Sequence, residues 1–178
     1  MKSLLILGAG GFGRMIKETA LALGYEEVLF LDDTAKEDAV IGRCCDYHLY
    51  HRDYSVAVAA FGNNKMRLFW TQKLIEEEYE VTAIIHPSAI VSPSVRLEPG
   101  CFVMQRAVVN MNTTIKMAAL INSGAVVDHD SIVEEGAHVG LGSVVKAHCV
   151  IEPGRKVEAG EVIFSTRSTI EGADSRSL

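Results

Sequence analysis

Residues 85–163 read IHPSAIVSPSVRLEPGCFVMQRAVVNMNTTIKMAALINSGAVVDHDSIVEEGAHVGLGSVVKAHCVIEPGRKVEAGEVI. Every sixth residue of this stretch is Ile, Leu or Val. The positions are Ile85, Val91, Leu97, Val103, Val109, Ile115, Ile121, Val127, Val133, Val139, Val145, Ile151, Val157 and Ile163, fourteen in succession. Neither an α-helix, with period 3.6, nor an ordinary strand, with period 2, produces a strict six. A six-residue repeat is the mark of a parallel β-helix, in which three short strands make one triangular coil. A β-sandwich does not hold one register for so long.

A second, smaller residue sits two places before each aliphatic one, as at Ala89, Cys101, Ala107, Ala119, Ala125, Ser131, Ala137 and Cys149. Glycine recurs one place earlier still, at Gly100, Gly124, Gly136, Gly142, Gly154 and Gly160, where a tight corner favours positive φ. The aliphatic residue points into the prism and stacks on its equivalent eighteen residues away, at a coil spacing of about 4.8 Å. Burying each such side chain contributes roughly 1.5–3 kcal/mol before entropy is counted. The small position becomes Arg155 and then Glu161, so the last coil frays over 153–165. Residues 166–178 lack the repeat and read as a C-terminal cap or tail.

The chain has 178 residues, 48% of them apolar, and a net charge of −6. An acidic chain without a basic cluster does not suit nucleic acid. No run of about 18 apolar residues is present to span a membrane. The N-terminal MKSLLILGAG leads straight into glycine-rich sequence and reads as a strand rather than a signal peptide. Cys101 and Cys149 occupy the small inward position, and adjacent Cys44 and Cys45 suit neither a disulfide nor zinc. A reducing cytoplasm fits this usage, and no metal is expected.

Residues 1–84 have a different pattern. Strand-like runs at 3–7, 28–31, 56–61 and 81–85 alternate with helical segments after GAGGFG (Gly8 to Gly13) and over about 64–77. Such alternation implies a parallel sheet. Gly8, Gly10 and Gly13 fit G-x-G-x-x-G between a strand and a helix, where backbone N–H groups hold a phosphate. Asp32 lies about twenty residues on, at the place of a ribose-binding acid. The segment is only about one mononucleotide-binding half, so a nucleotide diphosphate sugar suits it better than a dinucleotide. The expected organisation is a Rossmann-like nucleotide-sugar-binding domain at 1–84, an α/β unit, followed by a β-helix at 85–165.

With GAGGFG, FLDD (Phe30 to Asp33), FGNNKMR (Phe61 to Arg67) and the hexapeptide repeats on one chain, the sequence resembles the sugar acyltransferases of the NeuD/PglD type over about residues 3–150. That resemblance implies a left-handed β-helix, a homotrimer and acetyl-CoA as co-substrate. It also implies acetyl transfer to the amino or hydroxyl group of a nucleotide-linked sugar or a sialic acid. INSGAVVDHDSIVEEGAHVG (Ile121 to Gly140) looks like the active-site coil of the family. By the resemblance, His129 is the general base, Asp130 tunes it, and His138 contacts the acetyl donor. Gly10, Gly11, Phe12, Asp32, Asp33 and Gly62 would line the nucleotide-sugar pocket; many relatives carry His where this chain has Phe12. Relatives usually continue for one or two more coils, which help hold CoA. The alternative is therefore a non-enzymatic nucleotide-sugar-binding or scaffold protein with a shortened β-helix.

The chemistry suits these residues. Imidazole titrates near neutrality and can take the proton of an attacking amine or hydroxyl. A neighbouring carboxylate orients the ring and raises its basicity. A thiolate leaves readily, so direct attack on acetyl-CoA needs no covalent enzyme intermediate. His129 and His138 lie half a coil apart, on the order of 15 Å along the triangle. A trimer would bring His129 of one subunit towards the coil of another.

Overall fold

The computed structural model describes residues 2–36 and 38–164; the expected cap or tail at 166–178 lies outside the described residues. The chain begins with β1 (Ser3–Leu7), α1 (Gly11–Ala22), β2 (Glu27–Leu31), β3 (Val40–Gly42), a 3₁₀ turn (Cys44–Leu49), β4 (Ala57–Ala59) and α2 (Asn64–Glu76). The four strands form a parallel sheet in the order β3-β2-β1-β4. β1 is buried from Leu4 to Leu7 because it is central, with β2 on one side and β4 on the other. The direction of winding reverses between β1 and β4. A crevice at such a switch point is where open α/β sheets bind ligands.

Two features here differ from the sequence expectation. Residues 34–55 contain β3 and the 3₁₀ turn, both too short to leave a periodic signal. The expected strand at 81–85 does not extend the sheet. Only Ile84–Ile85 is a strand, and it pairs with Phe102–Val103 in the β-helix. Glu80 alone bridges back to Val56 beside β4.

From Ile84 the described residues form fourteen two-residue strands on three parallel sheets. The first face carries Ile84–Ile85, Phe102–Val103, Leu120–Ile121, His138–Val139 and Lys156–Val157. The second carries Ile90–Val91, Val108–Val109, Val126–Val127, Val144–Val145 and Val162–Ile163. The third carries Arg96–Leu97, Thr114–Ile115, Ile132–Val133 and Val150–Ile151. Each of the fourteen sixth-position aliphatics is the second residue of its strand. Those from Val103 to Val157 are buried in one core; Ile85, Val91, Leu97 and Ile163 cover its ends and are partly exposed. The small residues Cys101, Ala107, Thr113, Ala119, Ala125, Ser131, Ala137, Ser143 and Cys149 complete that core at the corners.

The N-terminal unit sits on the first face. The outward residues Ile84, Phe102 and Leu120, with Met104, share a buried cluster with Leu4, Ile6, Ile16 and Phe30, and Phe12 packs against it. The helix α2 lies over the corner between the third and first faces, where Gly100 faces Thr71 and Gly136 faces Leu68. A Cβ on Gly100 would lie 2.8 Å from Thr71 Cγ2, and one on Gly136 would meet Leu68 tightly at 3.3 Å.

The glycine turn divides by role. Gly8 has φ of +100°, and a Cβ there would meet the Ala60 carbonyl oxygen at 3.0 Å. A Cβ on Gly13 would lie 1.9 Å from the Gly8 carbonyl oxygen, so Gly13 lets α1 lie directly against the turn. A Cβ on Gly10 or Gly11 meets nothing within 4 Å. Gly13→Ala is expected to destabilise the fold by about 1–3 kcal/mol or more, read as a lowered midpoint in thermal melting, whereas Gly11→Ala leaves the midpoint unchanged or slightly raised.

Candidate active site

The loops after β1 and β4 flank the switch point. Gly10 caps α1 with extended backbone, and the first i to i−4 bond of the helix runs from Arg14 N–H to the Gly10 carbonyl. The N–H groups of Gly11, Phe12 and Gly13 precede that bond and face the helix start, where an anion is favoured. The Phe12 ring turns away into the seam with the β-helix, edge-on to Phe102 with centroids 5.2 Å apart. The backbone of Phe12 thus belongs to the glycine turn while its side chain belongs to the seam.

Both Asp32 carboxylate oxygens are engaged. Ala9 N–H donates to Oδ2 at 2.8 Å, while Thr34 and Ala35 N–H donate to Oδ1, each at 2.8 Å. Burial works against the charge, but these bonds outweigh it and lower the pKa to about 2. Asp32 therefore ties the glycine turn to the loop after β2. Asp33 is more exposed; it accepts from Cys44 N–H at 3.1 Å and lies 3.6 Å from Arg43 Nε. Gly62 lines a cleft of about 370 Å³ with Asn63, Asn64, Lys65, Gly154 and Lys156, between the start of α2 and the later coils.

Arg67, on α2, is fully buried. Its Nε donates to the Ala118 carbonyl at 2.8 Å, and Nη2 donates to the Gly136 carbonyl at 3.0 Å. Those carbonyls are eighteen residues apart, at the same corner of successive coils. Nη1 donates to the Phe61 carbonyl at 3.0 Å and Nη2 also to Asn64 Oδ1 at 2.9 Å. Asn64 in turn donates to the Gly154 carbonyl at 3.0 Å. One guanidinium therefore joins the loop after β4 to two coils, and Asn64 extends the link to a third. Burial lowers its pKa to about 10, which leaves it cationic at neutral pH. The sequence pattern shows Arg67 only as the end of FGNNKMR, because carbonyl partners leave no side-chain signature.

His138 lies on the first face beyond Leu120, half-buried beside the corner where Arg67 of α2 reaches the Gly136 carbonyl. It lines a cleft of about 220 Å³ with Asn122, Gly140, Leu141, Lys156, Glu158 and Ala159. Lys156 lines both clefts, so they adjoin. Asn122 Oδ1 accepts from Ser123 N–H at 2.8 Å, which turns its Nδ2 towards His138 Nε2 at 3.0 Å. Nε2 then accepts, and the ring proton sits on Nδ1, which is buried without a partner. Desolvation, with the Arg67 and Lys156 cations, lowers the His138 pKa to about 4. This imidazole stays neutral at physiological pH.

His129 and Asp130 occupy the corner between the second and third faces, opposite the face that carries the N-terminal unit. His129 Nδ1 donates to Asp130 Oδ2 at 2.7 Å, leaving the lone pair on Nε2. Asp130 adopts positive φ of 56°, as do Asn112 at 58° and His148 at 60°, one residue per coil at the same corner. Asn112 Nδ2 donates to Asp130 Oδ1 at 3.1 Å, so the carboxylate is held from the coil before. Below His129, Asp128 Oδ1 accepts from His129 N–H and from Asn110 Nδ2, each at 2.9 Å. The hydrogen bond to Asp130, with the nearby Asp128 charge, raises the His129 pKa above its ordinary value. Asn110, Asn112 and Asp128 are not marked by any sequence motif; subtracting eighteen from 128 and 130 finds the two asparagines.

Gly10, Gly11, Asp32, Asp33 and Gly62 thus gather around the sheet, and His138 lies in the adjoining cleft. His129 and Asp130 stand on the far corner of the same chain.

Residues 3–74 match the family model described as the PglD N-terminal domain. The acetyltransferase domain of PglB from Neisseria gonorrhoeae is 29% identical, with 92% of each chain covered and a TM-score of 0.72. A structure of that domain with acetyl coenzyme A is also similar, at 27% identity and a TM-score of 0.72 over 91% of this chain and 92% of that one. PerB from Caulobacter crescentus, in complex with CoA and GDP-perosamine, is 28% identical over 92% of this chain and 89% of that one, with a TM-score of 0.80. The expected resemblance to NeuD/PglD-type sugar acyltransferases is therefore shown, and the fold is a Rossmann-like unit followed by a left-handed β-helix. Among the described residues no helix is long and apolar enough to cross a membrane.

In a titration of ring protons by NMR, the His129 midpoint should lie above 6.5 and fall towards it in Asp130→Asn, because the neutral amide no longer favours the imidazolium. His138 should remain neutral down to about pH 4.

Proposed function

We propose that this chain, of the NeuD/PglD type in its N-terminal domain and in its whole fold, is a cytoplasmic acetyl-CoA-dependent acetyltransferase of a nucleotide-linked sugar. The observation that carries the reading is the His129–Asp130 pair. It is an oriented imidazole whose Nε2 lone pair is exposed on a coil wall, joined on one chain to a glycine turn open for a phosphate. PglB and PerB support it by their acetyl-CoA, CoA and GDP-perosamine complexes.

In this reading the nucleotide diphosphate binds at the start of α1, with Gly10 and Gly11 giving backbone access, and Asp33 and Gly62 flank the crevice. Asp32 acts through the turn it holds. Acetyl-CoA lies along the wall that carries His138, Gly140 and Lys156. The neutral His138 adds no charge of its own beside the thioester, and Lys156 and Glu158 line the same cleft. His129 Nε2 takes the proton as the sugar amine attacks the thioester carbonyl, and the imidazolium is stabilised by Asp130. The tetrahedral adduct collapses, the C–S bond breaks, and CoA leaves as its thiol after protonation. An amine suits this scheme better than a hydroxyl, because its lone pair attacks without prior ionisation.

A trimer completes the site. His129 lies on the corner away from its own nucleotide-binding unit, so the acceptor amine reaches it from a neighbouring subunit.

The test is release of free thiol from acetyl-CoA across a panel of nucleotide-linked amino sugars and sialic acid. At least one acceptor should turn over, and His129→Ala should lose roughly 10²–10⁴-fold in kcat with its melting midpoint unchanged. Full turnover in the variant removes His129 from the chemistry. Absence of acetyl-CoA binding by titration calorimetry favours a non-enzymatic sugar-nucleotide binder.

A further inference from the structure

The corner that carries His129 has a third ligand-type side chain that the acetyl-transfer scheme does not use. His148, from the next coil, faces His129 with ring centroids 5.2 Å apart and planes perpendicular. One ligand atom from each of His129, Asp130 and His148 falls within 4.8 Å of the others. We infer that these three side chains form a binding site for a divalent transition metal of the zinc class, and that its occupation switches the enzyme off.

Two imidazoles and a carboxylate are a donor set that zinc favours, at about 2.0–2.2 Å from each atom. Donor atoms on one such ion lie closer together than 4.8 Å, so the site closes by small rotations of exposed side chains. The backbone beneath them is fixed. His148 N–H donates to the His129 carbonyl at 3.1 Å, and Asp130 N–H donates to the Met111 carbonyl at 3.0 Å. Asn112 already orients the carboxylate from the coil below, the kind of outer contact that tunes metal sites. The His129 side chain is 41% exposed and that of Asp130 36%, which leaves room for water in the remaining positions. Asp130 and His148 are eighteen residues apart, so they meet, with His129 beside them, when one coil stacks on the next.

Inhibition follows from either ring nitrogen. A metal on Nε2 occupies the lone pair that accepts the acceptor's proton. A metal on Nδ1 displaces the bond to Asp130. The metal is therefore an inhibitory ligand and not a resident cofactor. This inhibition rests on His129 being the base; the binding does not.

The test titrates the 178-residue chain with Co²⁺ and follows its visible ligand-field bands, with Zn²⁺ as competitor. The wild type should bind one Co²⁺ per chain, displaced by Zn²⁺. His148→Ala should abolish the band, and Asn112→Ala should weaken binding about tenfold or more. In a chromatographic assay of acetylated sugar, which avoids thiol reagents that chelate zinc, Zn²⁺ should inhibit the wild type. His148→Ala should keep its turnover and resist Zn²⁺. Absence of the band in the wild type, or an equal band in His148→Ala, overturns the site. A band that requires His148 without inhibition of turnover overturns the switch and, separately, the role of His129 as base.

Discussion

The main-chain ladder between coils is the constraint on which the rest of this molecule depends. Each strand residue bonds to a partner one coil away, as from Asp128 N–H to the Val145 carbonyl or His138 N–H to the Arg155 carbonyl. A residue's place on the prism is therefore its number modulo eighteen. Inward aliphatics stack into one core, and outward side chains stand in columns at the spacing of strands in a sheet. Short polar side chains become useful in such columns, because a neighbour of known identity lies directly above and below. Asn112 beneath Asp130, and Asn110 beneath Asp128, are the working examples.

Upon that prism, Arg67 sets where the N-terminal unit sits. A buried guanidinium without a carboxylate is costly, and here carbonyl and amide oxygens at fixed corners offset the loss of water. Because two of those carbonyls are successive rungs of the ladder, the N-terminal unit is indexed to particular coils. It covers the first face as far as Leu120 and leaves His138 at the edge of a cleft. The same indexing places His129 on the opposite corner. The separation of His129 from the crevice beside the glycine turn is thus a product of the prism and the lock, and it is the ground on which a shared site is proposed.

The β-helix was legible because its signal is periodic and long, and all fourteen positions from Ile85 to Ile163 fall on strands. The outward placement of His129 was legible for the same reason, once Val127 is known to point inward, whereas the roles given to His129 and Asp130 came from the family resemblance alone. His148 has no motif of its own in the sequence, since its place beside His129 depends on the coil it stacks upon. Asp32 was legible in position but not in engagement. A place twenty residues after the glycine turn suggests a ribose contact, while the backbone amides of Ala9, Thr34 and Ala35 that bind its carboxylate have no signature in side chains. Phe12 shows the same limit, because a residue beside a phosphate-binding turn can still send its ring into a seam between domains. β3 and the 3₁₀ turn at Cys44–Leu49 span too few residues for any period to emerge.

The most direct measurement of the shared site mixes two subunits that are each inactive. One carries His129→Ala; the other carries Gly10→Val, which blocks the open approach to the glycine turn. Differently tagged, co-expressed and purified through both tags, they form assemblies containing both kinds of chain. A site built from the base of one subunit and the nucleotide pocket of its neighbour recovers acetyl transfer, at about one site in three in a trimer of mixed composition. A mixed assembly as inactive as its parents would place base and pocket within a single chain and contradict the account.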